Sequence, residues 1–308
     1  MSPEQSSSTR SGLIAAIAAY VLWGVFPLYF VLLAPASANE VVGFRVLMAL
    51  VVCLLLLCVV RGGWRRFAAL VRDRRTALLM LAAAAFIYVN WMIFIFAALS
   101  GHVIESALGY FINPLVTVLL GVIVLREKVR PIQWIALAFA GLAFVVIAIG
   151  YGSFPWIALL LAFSFAAYGL IKRVVGPKVD AIGGLALETA WLAPLAVAQL
   201  LFVGLTDGLE FGHHGALHAA LMLGSGLATA VPLLLFAAGA RRIPLVAIGL
   251  TQFISPVLQF LAGWLILGEA MPLERWIGFG LVWLALTVLT VDVIRASRVA
   301  PDREGRAG

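Results

Sequence analysis

Along the chain, apolar stretches of about 20 residues alternate with short polar connections. At a rise of about 1.5 Å per residue, each stretch is long enough for a helix to cross a hydrocarbon core of about 30 Å. The pattern predicts ten spans, over 12–33, 40–60, 76–99, 103–125, 131–149, 154–172, 181–205, 216–238, 244–267 and 272–293. None of the connections is long enough to house a soluble domain.

Composition turns this pattern into a class. Of 308 residues, 64% are hydrophobic and 11% charged, and the mean hydropathy is +1.11. A soluble domain is about 45–50% apolar and about 25% charged, so the chain reads as an all-α polytopic membrane protein. Its net charge of +7 is not gathered on one face, which argues against nucleic acid as a partner. Instead Lys and Arg cluster in every second connection and at both termini. The clusters are Arg10; Arg61, Arg65, Arg66, Arg72, Arg74 and Arg75; Arg126, Lys128 and Arg130; Lys172, Arg173 and Lys178; Arg241 and Arg242; and Arg295, Arg298, Arg303 and Arg306. Arg275 is the exception. The positive-inside rule then puts both termini in the cytoplasm, as an even number of spans requires.

Arg10, the first apolar run and Ala36-Ser37-Ala38 resemble a signal peptide with its cleavage site. The run is too long, however, and contains Trp23, Pro27 and Tyr29, so it is read as the first span. Cys53 and Cys58 lie five residues apart in one apolar run, where a helix does not face them toward each other; no disulfide is expected.

Shifting the chain by 142 positions aligns Phe111-Ile112-x-Pro114 with Phe253-Ile254-x-Pro256. Gly121 then meets Gly263, Leu125 meets Leu267, Glu127 meets Glu269, and Trp134-Ile135 meets Trp276-Ile277. Shared oiliness matches Leu and Val, but it does not readily align Pro, Glu and Trp together. The chain divides into two five-helix units, 1–150 and 151–308. Because five is odd, the second unit enters the membrane from the opposite side. Such inverted repeats are a hallmark of secondary transporters, which alternate access to a central site.

Ala19 to Gly24 in the first span resembles the EamA branch of the drug/metabolite transporter superfamily. The run Ile104-Glu105-Ser106-Ala107-Leu108-Gly109-Tyr110-Phe111-Ile112-Asn113-Pro114-Leu115 resembles its RarD subfamily. Phe154-Pro155, Ala162 to Gly169 and Leu187 to Pro194 carry the same likeness. The resemblance covers nearly the whole chain and implies a permease of the bacterial cytoplasmic membrane. One departure is Phe44, where the pattern has a His before the Arg of span two.

Ionisable groups inside a span cost about 2.5–3.5 kcal/mol on insertion scales, so each needs a reason. Arg45 and Glu188 occupy equivalent positions in the second helix of each half, at depths about 11 Å apart. Glu105 is closer in depth to Arg45. The expectation is therefore an Arg45–Glu105 ion pair, with Glu188 a lone carboxylate. Arg45 stays charged and suits an anionic group. A desolvated, unpaired Glu188 suits proton coupling; the alternative is a structural carboxylate bonded to Thr189 or a neighbouring helix.

Asn90, Asn113 and Ser255 fall about 13–16 Å deep, at the midplane, beside Tyr110, Gln252 and Gln259. Two readings stand: helix–helix glue, or the polar lining of a substrate cavity with Trp23, Trp91, Tyr110 and Tyr168 as its walls. Pro114 frees the carbonyl of Tyr110, and Pro256 that of Gln252. Both breaks are expected at the membrane centre, as a paired hinge. His214 and His218 have the i,i+4 spacing of a helical chelate but sit in a connection with His213, Asp207 and Glu210, where a solvated loop is the simpler reading.

No Gly-rich phosphate loop or zinc-protease motif is present, and neither a cofactor nor a metal is expected. The leading reading is a secondary transporter for a small organic metabolite or drug, with protons as a candidate coupling ion. An integral-membrane transferase or hydrolase is the alternative class; it needs catalytic residues clustered near one surface. A passive channel needs a continuous polar face.

Overall fold

The computed structural model describes residues 3–126, 131–151, 154–240, 242–243 and 245–304, which are helical with short connections. In chain order the helices are α1 (Pro3–Val31), α2 (Ala38–Val59), α3 (Gly63–Arg72), α4 (Arg74–Leu99), α5 (Val103–Leu125) and α6 (Pro131–Tyr151). They continue with α7 (Trp156–Val175), α8 (Ala181–Thr206), α9 (Gly215–Ala240), α10 (Leu245–Thr251), α11 (Ile254–Leu261) and α12 (Leu273–Glu304). Glu127, Lys128, Arg130, Arg241 and Arg306 lie outside the described residues, as do the side chains of Arg295, Arg298 and Arg303.

Among the described residues eight helices are long and apolar enough to cross a membrane: α1, α2, α4, α5, α7, α8, α9 and α12. The chain is a multi-pass membrane protein. The span expected over 131–149 is α6, Pro131–Tyr151. Another expected span takes a different form. The span expected over 244–267 is divided into α10, a break at Gln252–Phe253, α11 and a π-helical turn over Ala262–Ile266.

Pro256 accounts for the break. It has no N–H to offer the carbonyl of Gln252, and it sits in the first turn of α11, where a missing N–H costs least. Pro114 behaves differently, because α5 runs unbroken through it. The expected pair of breaks is therefore a single break, in the second copy only.

The connection expected over 61–75 also contains a helix, α3. Phe67 and Leu70 turn inward while Trp64, Arg65 and Arg66 are exposed. Ten residues are too few for a span, so the apolar windows missed it. Polar side chains close several helix starts: Ser37 accepts from the Glu40 N–H, Asp73 from Thr76 and Asp180 from Gly183.

The helices pack in matched pairs. α2 lies against α8 and α6 against α12. α5 packs on α7 as α11 packs on α1, and α4 packs on α7 as α9 packs on α1. Small residues allow the close approaches. A Cβ on Gly109 would stand 2.7 Å from the carbonyl oxygen of Ala158, and one on Gly226 2.4 Å from that of Met48. One apolar core joins α1, α2, α4, α8 and α9, while a second joins α5, α6, α11 and α12.

Candidate functional site

Arg45 is the centre of the first polar group. It is 4% exposed, on the α2 face between α4 and α9. Its Nε donates to Thr229 Oγ1 on α9 at 3.0 Å. Its guanidinium lies over the ring of Trp91 at 4.4 Å, with Phe30 at 5.3 Å and Phe26 at 5.8 Å. Nη1 is buried without a hydrogen-bond partner among the described residues. The titratable side chains acting on Arg45 are two phenols, Tyr110 and Tyr29. Phenols are neutral near pH 7, so among the described residues no carboxylate balances this charge. Ring faces offset part of the cost, at about 0.5–2 kcal/mol each. A buried ion costs several kcal/mol in all.

The expected Arg45–Glu105 pair is thus absent. Glu105 instead accepts from the backbone N–H groups of Ile157 at 3.1 Å and Ala158 at 3.5 Å, at the start of α7. A helix N-terminus presents unpaired N–H groups and a positive dipole end, and it meets a nearby carboxylate better than a distant guanidinium does.

Glu188 is not a lone carboxylate. It is 1% exposed and accepts from Lys172 Nζ at 2.9 Å and from Tyr168 Oη at 3.4 Å. Lys172 ends α7 and reaches back into the bundle along its apolar stem. Thr189 donates to the carbonyls of Leu185 and Ala186 in its own helix, not to Glu188.

A third group joins α4, α5 and α7. Asn90 Nδ2 donates to the Leu161 carbonyl and to Ser164 Oγ, both at 3.2 Å, and Asn90 Oδ1 accepts from Tyr110 Oη at 2.9 Å. Asn113 Nδ2 donates to the Ala162 carbonyl at 3.0 Å. Both amides read the same turn of α7, which is the behaviour of interhelical glue. In a parallel arrangement on the other side, Gln259 Nε2 on α11 donates to the Trp23 carbonyl of α1 at 3.3 Å and to Ser255 Oγ at 3.1 Å. The Trp23 ring packs with Tyr20 and Phe236. Gln252 lies at the α10–α11 break. No ring contact or hydrogen bond among the described residues links this last group to Arg45.

Aromatic rings connect the first three groups. Phe30 meets Phe94 at 6.0 Å, Phe94 meets Tyr110 at 5.8 Å, Tyr110 meets Phe165 at 5.9 Å, and Phe165 meets Tyr168 at 6.1 Å. A row of rings therefore runs from the wall beside Arg45 to the phenol on Glu188. Of the residues expected to line a cavity, Trp91, Asn90, Tyr110 and Tyr168 lie along it.

Three carboxylates stand at the Lys- and Arg-poor end. Glu40 accepts from the N–H groups of Glu210 and Phe211, Glu105 from those of Ile157 and Ala158, and Glu269 from those of Val103 and Ile104. Each joins a residue before position 150 to one after it. Burial raises the Glu269 carboxyl above the ordinary carboxylate range, an effect the two N–H groups and His102 oppose and Glu105 reinforces. Asp73, at the other end, is held low by its bonds with Thr76. The histidines divide as well: His214 Nε2 lies 2.5 Å from Glu210, while buried His218 turns Nε2 to the Leu33 carbonyl at 3.0 Å. Cys53 and Cys58 are free thiols.

Sequence reasoning missed Thr229, Ser164 and Lys172. Thr229 lies 184 residues from Arg45, and Ser164 lies 74 from Asn90, so no local spacing reveals either. Lys172 carried a readable signal, since it stands at the end of a span one helix away from a buried Glu.

Residues 10–149 match the EamA-like transporter family. "Protein RarD" of Streptomyces exfoliatus is 46% identical over 290 residues, covering 94% of this chain and 91% of that protein. An uncharacterised transporter of Pseudomonas aeruginosa is 38% identical, covering 96% and 99%. One solved crystal structure superimposes with a TM-score of 0.57 over 91% of this chain and 98% of its own, at 16% identity, which shows a shared fold. The family and its relatives are named as transporters rather than enzymes. The chain belongs to the RarD subfamily of the EamA-like, drug/metabolite transporter superfamily.

Proposed function

We propose that this protein is a secondary transporter that moves a small organic metabolite or drug across the bacterial cytoplasmic membrane by alternating access. The observation that carries the reading is Arg45, a buried cation with an open hydrogen-bond donor at the head of a row of aromatic rings. A fixed charge that the fold does not neutralise fits a ligand better than a packing role. In this reading Asn90, Trp91, Tyr110 and Tyr168 line the path, with Asn113 holding α7 beside it. Trp23, Gln252, Ser255 and Gln259 form the matching α1–α11 contact, and the break at Pro256 gives that side its flexible joint.

The matched packing of α5 on α7 and α11 on α1 supports two inverted five-helix units, 1–150 and 151–308, ten crossings in all and both termini in the cytoplasm. Glu188, held by Lys172, serves as a structural carboxylate. A proton-coupling role would appear as loss of the response to a pH gradient in Glu188→Gln. The test of the main reading is counterflow in proteoliposomes. Uptake of a labelled organic solute driven by the same unlabelled solute supports a carrier. Conversion to a new product supports a membrane enzyme instead, and flux without saturation supports a channel.

A further inference from the structure

We propose that the substrate class is organic monoanions, a carboxylate on a flat apolar body, and that Arg45 Nη1 receives the carboxylate. This rests on the transport reading and adds the chemistry of what is carried.

Three observations meet at this residue. The guanidinium is permanently charged and almost wholly buried. One of its donors is occupied by a neutral hydroxyl and another, Nη1, by nothing in the structure. The side chains around it supply no negative charge, only the rings of Trp91, Phe30 and Phe26 and the phenols of Tyr29 and Tyr110. Two carboxylates that depth brings within consideration are bound elsewhere, Glu105 to the start of α7 and Glu188 to Lys172. The missing partner of Arg45 is an anion from outside the fold.

The walls then narrow the anion. A hydrated inorganic ion gains little from an aromatic lining, whereas a flat organic body gains contact area with every ring it meets. Among the described residues the groups acting on Arg45 include no second guanidinium or ammonium, so a single negative charge is matched and a doubly charged group is not. A carboxylate accepts from a guanidinium in its plane, a geometry that an amide or ester of the same shape does not reproduce.

The experiment uses purified full-length protein in detergent. Phenylacetate and indole-3-acetate are compared with phenylacetamide and indole-3-acetamide by thermal shift, with sodium chloride as the inorganic arm. The acids are expected to raise the melting temperature with concentration, since a ligand of the native state stabilises it. The amides are expected to bind about tenfold or more weakly, the scale of a charge-assisted bond. Arg45→Gln should erase the difference between acid and amide. Arg45→Lys, which keeps the charge and guards against a folding failure, should weaken acid binding while retaining the preference for acid over amide.

Equal shifts from acids and amides overturn the proposal. So does an Arg45→Gln protein that keeps its acid preference, a shift produced by chloride alone, or the absence of any shift from the acids. Counterflow separates the two levels of inference. Exchange of neutral amides without acids leaves the transport reading standing and removes the anion. Arg45-dependent acid binding without exchange does the reverse.

Discussion

Arg45 and Glu188 stand at matching positions in α2 and α8, two helices that pack against each other, and both are buried. Their surroundings differ. Glu188 has a cation at 2.9 Å and a phenol at 3.4 Å, so its charge is answered inside the fold. Arg45 has one neutral hydroxyl and a wall of rings. Corresponding positions in the sequence therefore hold a closed ion pair in one helix and an unanswered charge in the other. Burial alone does not separate a structural charge from a binding one; the inventory of partners does.

The strongest way to break this contrast is to neutralise one charge at each site. Lys172→Met leaves Glu188 buried with only Tyr168. The expected loss is about 2–4 kcal/mol, toward the lower end because the Lys172 side chain is 31% exposed. Arg45→Met orphans nothing, since Thr229 already donates to the Ser225 carbonyl at 2.9 Å. It is expected to cost under about 1 kcal/mol, or to stabilise, while abolishing transport. Unfolding free energies in mixed micelles check both values, and equal losses would remove the distinction.

Asn90→Leu comes next. Three hydrogen bonds disappear, leaving Tyr110 Oη, the Leu161 carbonyl and Ser164 Oγ to find other partners. A loss of about 1–2 kcal/mol is expected, with transport reduced less than by Arg45→Gln. A transport defect equal to that of Arg45→Gln would move Asn90 from helix contact to ligand contact.

Glu269 provides a pH test at the carboxylate-rich end. Burial raises its folded-state pKa above the ordinary glutamate value of 4.5. The folded protein then holds this proton more tightly than the unfolded chain. Its stabilising contribution is full below about pH 4.5 and is lost as pH rises through the raised value. Melting temperatures from pH 4 to pH 8 should fall less in Glu269→Gln than in the wild type. A parallel pair of curves would show that burial does not dominate there.

The smallest effect is expected at Arg66–Asp180, a pair at 3.1 Å whose side chains are 51% and 28% exposed. Arg66→Ala should cost under about 1 kcal/mol and fade with added salt.

Much of this fold was legible because membrane crossing imposes a coarse rule on long segments. Hydropathy located α1, α2, α4, α5, α7, α8, α9 and α12 to within a few residues at most of their ends. It overlooked α3, whose ten residues turn Phe67 and Leu70 inward without forming a long apolar window. It also ran through the α10–α11 break, since Gln252 and Phe253 do not interrupt an apolar average. The proline motif raised the right question but could not answer it. Pro114 and Pro256 sit in matching sequences, yet α5 runs whole through the first while α11 starts afresh at the second. At the site, buried charges and midplane amides were visible from their cost in lipid. Their partners were not, because depth along a helix fixes one coordinate and pairing needs the other two. Glu105 had the right depth for Arg45, but the start of α7 satisfies it instead.

The carboxylates of Glu40, Glu105 and Glu269 have a mechanical consequence. Each grips two backbone N–H groups across the first and second parts of the chain. At the other end, the exposed Arg66–Asp180 pair ties those parts together, beside a cleft of about 320 Å³. In the alternating access proposed above, opening the carboxylate end requires all three grips to let go.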